Sequence, residues 1–535
     1  MIGEKISYSP ERPQLVDVTA RTHKIFGKRE GLPNGITSLH RVGTFMLSDE
    51  KGHATMGFSG YHKENVHPGK KDTRPLIVVC NGGPIAASAL SELSATAPWI
   101  LEHEGENPVN ILSGKRKFNY DSPFAHADLV YFDPVGTGVG RVLTGDPKRY
   151  LGMQQDIASF DAALDLYRKE YGYESNPIIL VGASFADFRM TGLALKLQER
   201  NRPISAMSII CGHYDYALEV NRPSAGNYQE GIGDPKDPRP FAAALPVMAL
   251  TAQFHGRLSP EEQRMTPGML YKKVWDFASQ VYLKDNPDNL SREEIIQKLM
   301  HYTSLSREFI SEDLLISTDV FREEFLEGQT LSMLDSRLSV PKTDNVVIDT
   351  VLDKWIPEYE EAATEELRRT GFPEEDMPAD GYRLIVNAYP DWDFSGIWSK
   401  RRVHEAMRQL LKGQPDLPIT HISGIYDIQI PPARAELFWQ EVASGIPEKV
   451  SDINYADVQH KYYPLDSVQQ FLLPSGHIPG VTDSAILNKI LSGQVAYVTS
   501  KEEEKRGIDF SKERRRNYNN IFQLSSEEYD TVTRF

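Results

Sequence analysis

An α/β fold with a mostly parallel central sheet, an N-terminal β-hairpin extension and a large helical insertion is predicted by three features of the sequence. The first is a set of apolar runs bounded by turn residues, RPLIVVCNGG, ADLVYFDPVG, NPIILVGAS and SAMSIICGH, separated by helical stretches such as DIASFDAALDLYRKEYG. Buried parallel strands joined by crossover helices give that pattern. The second is TSLHRVGTFMLSDEKGHATMGFSGYHK, which alternates apolar and polar residues around DEKG as a β-hairpin does. The third is a change of rhythm between about residues 215 and 395, where charged helical segments such as SREEIIQKLMHYTSLSREFISEDLL take over.

The strand rhythm resumes with LPITHISGIYDIQIPP and YYPLDSVQQFLLPSGH, followed by a helix from about DSAILNKILSG. The chain thus divides into a β-rich extension (1–70), a first part of the core (71–214), a helical lid insertion (215–395), a second part of the core (396–498) and a charged tail (499–535). The tail, KEEEKRGIDFSKERRRNYNN onward, has little apolar periodicity and reads as a solvated appendage or a partly disordered segment. No internal repeat is present.

The 535 residues suffice for one large α/β domain with insertions or for several domains, and 40% hydrophobic with 25% charged residues is an ordinary globular balance. A net charge of -16 argues against a nucleic-acid partner, since phosphate binding needs clustered cations. Cys80 and Cys211 are the only cysteines, so no disulfide framework is implied. The N-terminus lacks the basic start and apolar stretch of a signal peptide, and no run of about 18 apolar residues occurs. These features predict a soluble, cytoplasmic protein without a membrane partner. Its oligomeric state is left open.

LVGASFADFRM places Ser184 between an apolar strand and a helix. A serine at such a corner can cap the helix, or it can project its hydroxyl above the sheet as a nucleophile. Acyl transfer by serine also needs a base and an acid that orients the base. Asp427 in SGIYDIQIPP and His477 in LPSGHIPG stand at later strand-end turns, and the chain order Ser, Asp, His is that of the α/β-hydrolase fold. His103, His213, His255 and His301 lie in helical or polar contexts and read as surface or structural residues.

An oxyanion needs main-chain donors. In VVCNGGPIAAS, glycines 82 and 83 let the backbone approach a ligand, so the Gly83 amide paired with that of Phe185 is the candidate hole; the alternative is a plain Gly-Gly-Pro turn. YFDPVGTGVGR invites comparison with a dinucleotide loop, but Arg141 stands where the third glycine of G-x-G-x-x-G belongs. There is no P-loop and no HExxH, so neither a cofactor nor a metal is expected.

With these pieces placed, the chain resembles the serine carboxypeptidase family, in particular its bacterial disulfide-free branch, over about residues 70 to 495. NGGP at 81–84, DPVGTG at 133–138, the Ser184 elbow, SGIYD at 423–427 and GH at 476–477 match the family's ordered blocks, and LDSRL is similar to its lid region. The resemblance implies Ser184 as nucleophile, His477 as general base, Asp427 as orienting acid, and Gly83 with Phe185 as the oxyanion hole. Asn81, Gly82, Ile85 and Ala183 fall at positions that border the family's substrate pocket.

The departures cluster at that pocket. Ala183 replaces the elbow glutamate that helps bind a terminal carboxylate, Glu92 is near the second carboxylate-binding position but out of phase, and Ile85 replaces a glycine. Asp187 adds a charge beside the nucleophile unless Arg189 or another cation pairs with it. The expectation is hydrolytic machinery with altered recognition of a peptide or peptide-like amide. Its alternatives are an esterase or acyltransferase of the same family and a decayed hydrolase used for binding.

Overall fold

The structure is a computed structural model and describes residues 18–64, 74–103, 111–212, 237–284, 286, 288–343, 346, 348–386, 392–393, 402–444, 467–505 and 533–534. Along the chain the strands are β1 (Thr19–Gly31), β2 (Thr37–Asp49), β3 (Gly52–Lys63), β4 (Leu76–Cys80), β5 (Trp99–His103), β6 (Ile111–Phe118), β7 (Asp128–Phe132) and β8 (Val142–Thr144). They continue with β9 (Ile178–Ala183), β10 (Ala206–Ile210), β11 (Gln329–Leu331), β12 (Ser339–Pro341), β13 (Ile419–Gly424), β14 (Val468–Leu473) and β15 (Thr533–Arg534).

Eleven of these strands form one sheet in the order β1-β2-β3-β7-β4-β9-β10-β13-β14-β15, with β8 beside β3. The six central strands, β7 to β14 in that order, are parallel. Both of their faces are covered, which is why they read as unbroken apolar runs. In β4, Leu76, Val78 and Cys80 face one core while Ile77 and Val79 face the other; Ile178 and Leu180 against Ile179 and Val181 repeat the alternation in β9. Helices Met153–Tyr171, Ala186–Glu199, Arg402–Gly413 and Pro432–Ser444 pack on the first face, and Ser484–Lys505 on the second. The first of these helices stops where Gly172 takes φ 77°, with its N–H on the Arg168 carbonyl. This is the α/β-hydrolase fold expected from the sequence.

The predicted hairpin is β2 and β3, paired antiparallel through Asp49 and Gly52. It is extended outward by β1 and joined to the central sheet where β3 runs antiparallel to β7. Between β10 and β13 the chain forms helices Arg239–Phe254, Pro267–Leu283, Arg292–Thr303, Thr318–Glu324 and Leu352–Arg369, with β11 and β12 as a small hairpin. Several of these helices share a core that also takes in Ile425, Tyr426 and Ile428 beside Asp427. The last helix runs beyond the predicted DSAILNKILSG to Lys505, because Leu487, Ile490, Leu491, Val495 and Val498 continue one apolar stripe. Most of the tail, and His213, lie outside the described residues. No helix among the described residues is long and apolar enough to cross a membrane.

Trp439 is fully buried on the first face, and its Nε1 donates to His421 Nδ1 at 3.1 Å. Burial holds that imidazole down at about 3, so it stays a neutral acceptor at pH 7. Trp439→Ala leaves a cavity and should cost ~3–5 kcal/mol, measured as a lowered urea midpoint. A midpoint matching that of the unsubstituted protein would show that the site closes over the gap.

Candidate active site

Because the central strands are parallel, their C-terminal ends share one edge. NGGP follows β4, Ser184 follows β9, Cys211 follows β10, Asp427 lies just past β13 and His477 just past β14. The chain crosses over β4 between β7 and β9, and ligand crevices open beside such switch points.

Ser184 has φ 55°, a left-handed conformation that costs a non-glycine residue about 1 kcal/mol. Its N–H donates to the Ile210 carbonyl at 2.8 Å, and its own carbonyl accepts the Asp187 N–H at 3.1 Å. Gly182 makes the turn possible: a Cβ there would stand 2.9 Å from Ala186 O and 2.9 Å from Met190 Cγ. The following helix starts from Phe185 with no side-chain cap, so Ser184 is not a capping serine. It is partly exposed.

Asp427 is fully buried and His477 nearly so. His477 Nδ1 lies 2.6 Å from Asp427 Oδ2, while Oδ1 accepts the Ile430 N–H at 2.8 Å. The carboxylate is thus fixed on both oxygens and aims the imidazole, which leaves Nε2 for the reacting proton. Sequence reading missed Cys211, although it too ends an apolar run. Its φ is 47°, and its Sγ donates to Gly476 O at 3.8 Å. Ligand atoms of Cys211, Asp427 and His477 lie within 4.8 Å of one another. In this cluster Nδ1 is engaged by Asp427, and burial pushes the Cys211 thiol well above its ordinary range.

The NGGP loop is pressed onto the elbow. A Cβ on Gly82 would stand 2.6 Å from Phe185 N and 2.8 Å from Ser184 Cβ, so glycine alone allows this approach. Gly83, with φ 112°, is exposed, and Asn81 is held inside the loop by Ser91 Oγ on its Oδ1 and by Ser88 Oγ, which accepts its N–H at 3.3 Å. One buried guanidinium clasps the loop from behind. Arg189 donates to Asn81 O at 2.6 Å, to Pro84 O at 2.8 Å and to Asp156 Oδ2 at 2.6 Å, and stacks 4.4 Å over Phe160. Arg189 sits on the helix that follows Ser184, so one side chain fixes both segments that carry the Gly83 and Phe185 amides. Its ionic partner is Asp156; the Asp187 carboxylate accepts the N–H of Phe188 at 2.6 Å.

One expectation is corrected. Ile85 is 2% exposed and packs in the main core, so it does not line an open pocket. Glu92, out of phase with the second carboxylate-binding position, points inward: its Oε1 accepts Ser59 Oγ at 2.6 Å and Tyr61 OH at 2.9 Å. Burial pushes Glu92 up to about 8 and His40 beside it down to about 3, so their 4.0 Å approach joins two neutral groups at pH 7. Ala183, paired with Ile210, remains partly exposed next to Ser184. In the DPVGTG loop, Asp133 accepts the Ser88 N–H at 2.8 Å and fills the space beside Gly138 that a phosphate would need. His103 ends strand β5 rather than standing in a helix or loop, His255 follows a helix, and His301 lies 2.5 Å from Glu262, away from the sheet edge.

No family model matches the chain, and no curated protein matches it. Among solved structures the chain is similar to a prohormone-processing carboxypeptidase from Saccharomyces cerevisiae, at 14% identity over 86% of this chain and 91% of that one, with a TM-score of 0.49. It is similar to a proline iminopeptidase from Mycobacterium smegmatis at 12% identity, covering 85% and 98% of the two chains, with a TM-score of 0.34. It is also similar to potato epoxide hydrolase I at 13% identity, covering 84% and 98%, with a TM-score of 0.34.

The neutral Glu92 predicts a pH signature. Folded, it keeps its proton to about 8, whereas the unfolded chain releases it near 4.5. Between those values unfolding releases a proton, so stability falls as pH rises. Asp133, raised to about 6 by burial, acts in the same direction. The thermal midpoint should fall across this window, and Glu92→Gln, which cannot ionise, should flatten the fall. An unchanged slope in that variant would remove Glu92 from the linkage.

Proposed function

We propose that the protein is a serine hydrolase of carboxypeptidase-like type, acting on a peptide or peptide-like amide through an acyl-enzyme. The observation that supports this most is the 2.6 Å His477–Asp427 bond at the same sheet edge as a serine held at φ 55°. In this reading Ser184 Oγ attacks the substrate carbonyl while His477 Nε2 takes its proton. The negative charge that forms on the carbonyl oxygen is met by the Gly83 and Phe185 amides, each donor contributing on the order of 3 kcal/mol to the barrier reduction. The protonated imidazole, balanced by Asp427, returns the proton to the leaving amine as the C–N bond breaks. Water then repeats the sequence: His477 removes its proton, hydroxide adds to the acyl carbon, and Ser184 departs with the proton returned.

A second reading keeps the acyl-enzyme and changes its partner, giving an esterase or an acyltransferase in which an alcohol or amine replaces water. Ala183 at the elbow and the inward-facing Glu92 carboxyl favour it, since both carboxyl groups that a terminal-carboxylate clamp would use are missing from the crevice.

Two measurements test these readings. Ser184→Ala should lower turnover by a factor on the order of 10⁴ or more and abolish covalent labelling by a fluorophosphonate; retained labelling would place the nucleophile elsewhere. Free-acid peptides should be cleaved faster than their amides by a carboxypeptidase. Equal rates would favour the second reading.

A further inference from the structure

Asp427 and His477 sit on loops, and both loops are gripped by one short segment from the chain between β10 and β13. The Leu334 carbonyl accepts the His477 N–H at 2.6 Å. The Ser336 N–H donates to the Tyr426 carbonyl at 2.9 Å, and the Met333 carbonyl accepts the Gln429 N–H at 3.0 Å, so both sides of Asp427 are held. Arg337 donates to the Pro474 carbonyl at 2.8 Å, and its guanidinium lies 4.7 Å over the Tyr426 ring. A Cβ on Gly476 would collide with the Leu334 carbonyl and the Asp335 side chain, so the base loop is in direct contact with this segment.

The segment is itself anchored from behind. Asp349, fully buried, accepts Ser332 Oγ at 2.9 Å and the Met333 N–H at 2.9 Å. Ser332 Oγ in turn accepts the N–H groups of Leu334 and Asp335, each at 3.1 Å. Asp335 holds Arg337 by two contacts, Nε at 2.9 Å and Nη2 at 2.6 Å, which sets the guanidinium flat. Ser336 Oγ meets Thr251 Oγ1, on the helix Arg239–Phe254, at 2.6 Å.

We propose that residues 332–338 form a brace that positions the catalytic acid and base, with Arg337 as its main side-chain anchor. The inference rests on the serine hydrolase reading and deepens it. On this view the helical insertion sets the distance and angle between Asp427 and His477. Arg337 is a positioning residue: it touches the loops that carry those groups and no reacting atom.

The test uses full-length protein, fluorophosphonate labelling of Ser184 and steady-state kinetics on the best ester or amide substrate. Arg337→Ala should lower kcat and the labelling rate together by about 10- to 100-fold with KM little changed, the cost of a misplacement near 1 Å. Arg337→Lys, which keeps a donor toward Pro474 O but neither the fork nor the stacking plane, should fall between. Arg307→Ala, which removes an exposed ion pair with Glu293 on the same insertion, should match the unsubstituted protein. If Arg337→Ala fails to fold by circular dichroism, Asp335→Asn carries the same readouts and should show the same joint loss at smaller size. Labelling and kcat at the unsubstituted level in a folded Arg337→Ala or Asp335→Asn protein would overturn the brace. Absence of labelling in the unsubstituted protein would instead overturn the serine hydrolase reading.

Discussion

The parallel register of β4, β9, β10, β13 and β14 is the constraint on which the site depends. A parallel strand returns to the same edge by a crossover, so the C-terminal ends of all five meet there, whatever the length of chain between them. That is how residues spread from 81 to 477 come to lie along one sheet edge. The same constraint demands that both faces of the sheet be covered, and the helices that cover it contribute to the site: the one starting at Ala186 brings Arg189 under the NGGP loop.

Burying so much polar chemistry takes two different forms. Arg189 and Asp156 face each other as a buried pair, where burial pushes the Asp156 carboxyl up and the guanidinium opposes it; removing either would leave the other buried without its partner, at a typical cost of ~3–5 kcal/mol. Glu92 and His40 are neutralised instead, the acid by keeping its proton and the imidazole by losing one. The difference follows from the partners. Arg189 meets a carboxylate and two carbonyls, whereas Glu92 meets hydroxyls, which can bond a neutral acid as readily as an ion.

The central strands were legible in the sequence because burial on both faces leaves runs such as LIVVC with no polar break. Ser184, Asp427 and His477 were legible for a related reason: each follows such a run at a turn. β1 was not, since TARTHKIFGKREG lies half exposed at the sheet edge and carries no clear alternation. Ile85 was misjudged because a residue in a glycine-rich loop looks as though it should face a ligand, yet its side chain turns into the core. Arg189 was noticed for its nearness in sequence to Asp187, whereas its bond to Asp156 spans two helices and leaves no local pattern. Cys211 obeyed the strand-end rule and was missed because it was weighed only as a disulfide or metal cysteine.

LDSRL was noticed only for its likeness to a family's lid region, and its role as a brace was illegible for a deeper reason. Its three bonds to the Asp427 and His477 loops, at Leu334, Ser336 and Met333, run from main chain to main chain, and such bonds leave no signature in residue type. Loops on a rigid scaffold are mobile unless tied, and each buried hydrogen bond contributes only about 1 kcal/mol net. Several acting in parallel on two loops restrict them where one would not. Since those three bonds depend on backbone position, the outward side chains of the helical insertion can vary while the distance between Asp427 and His477 stays fixed.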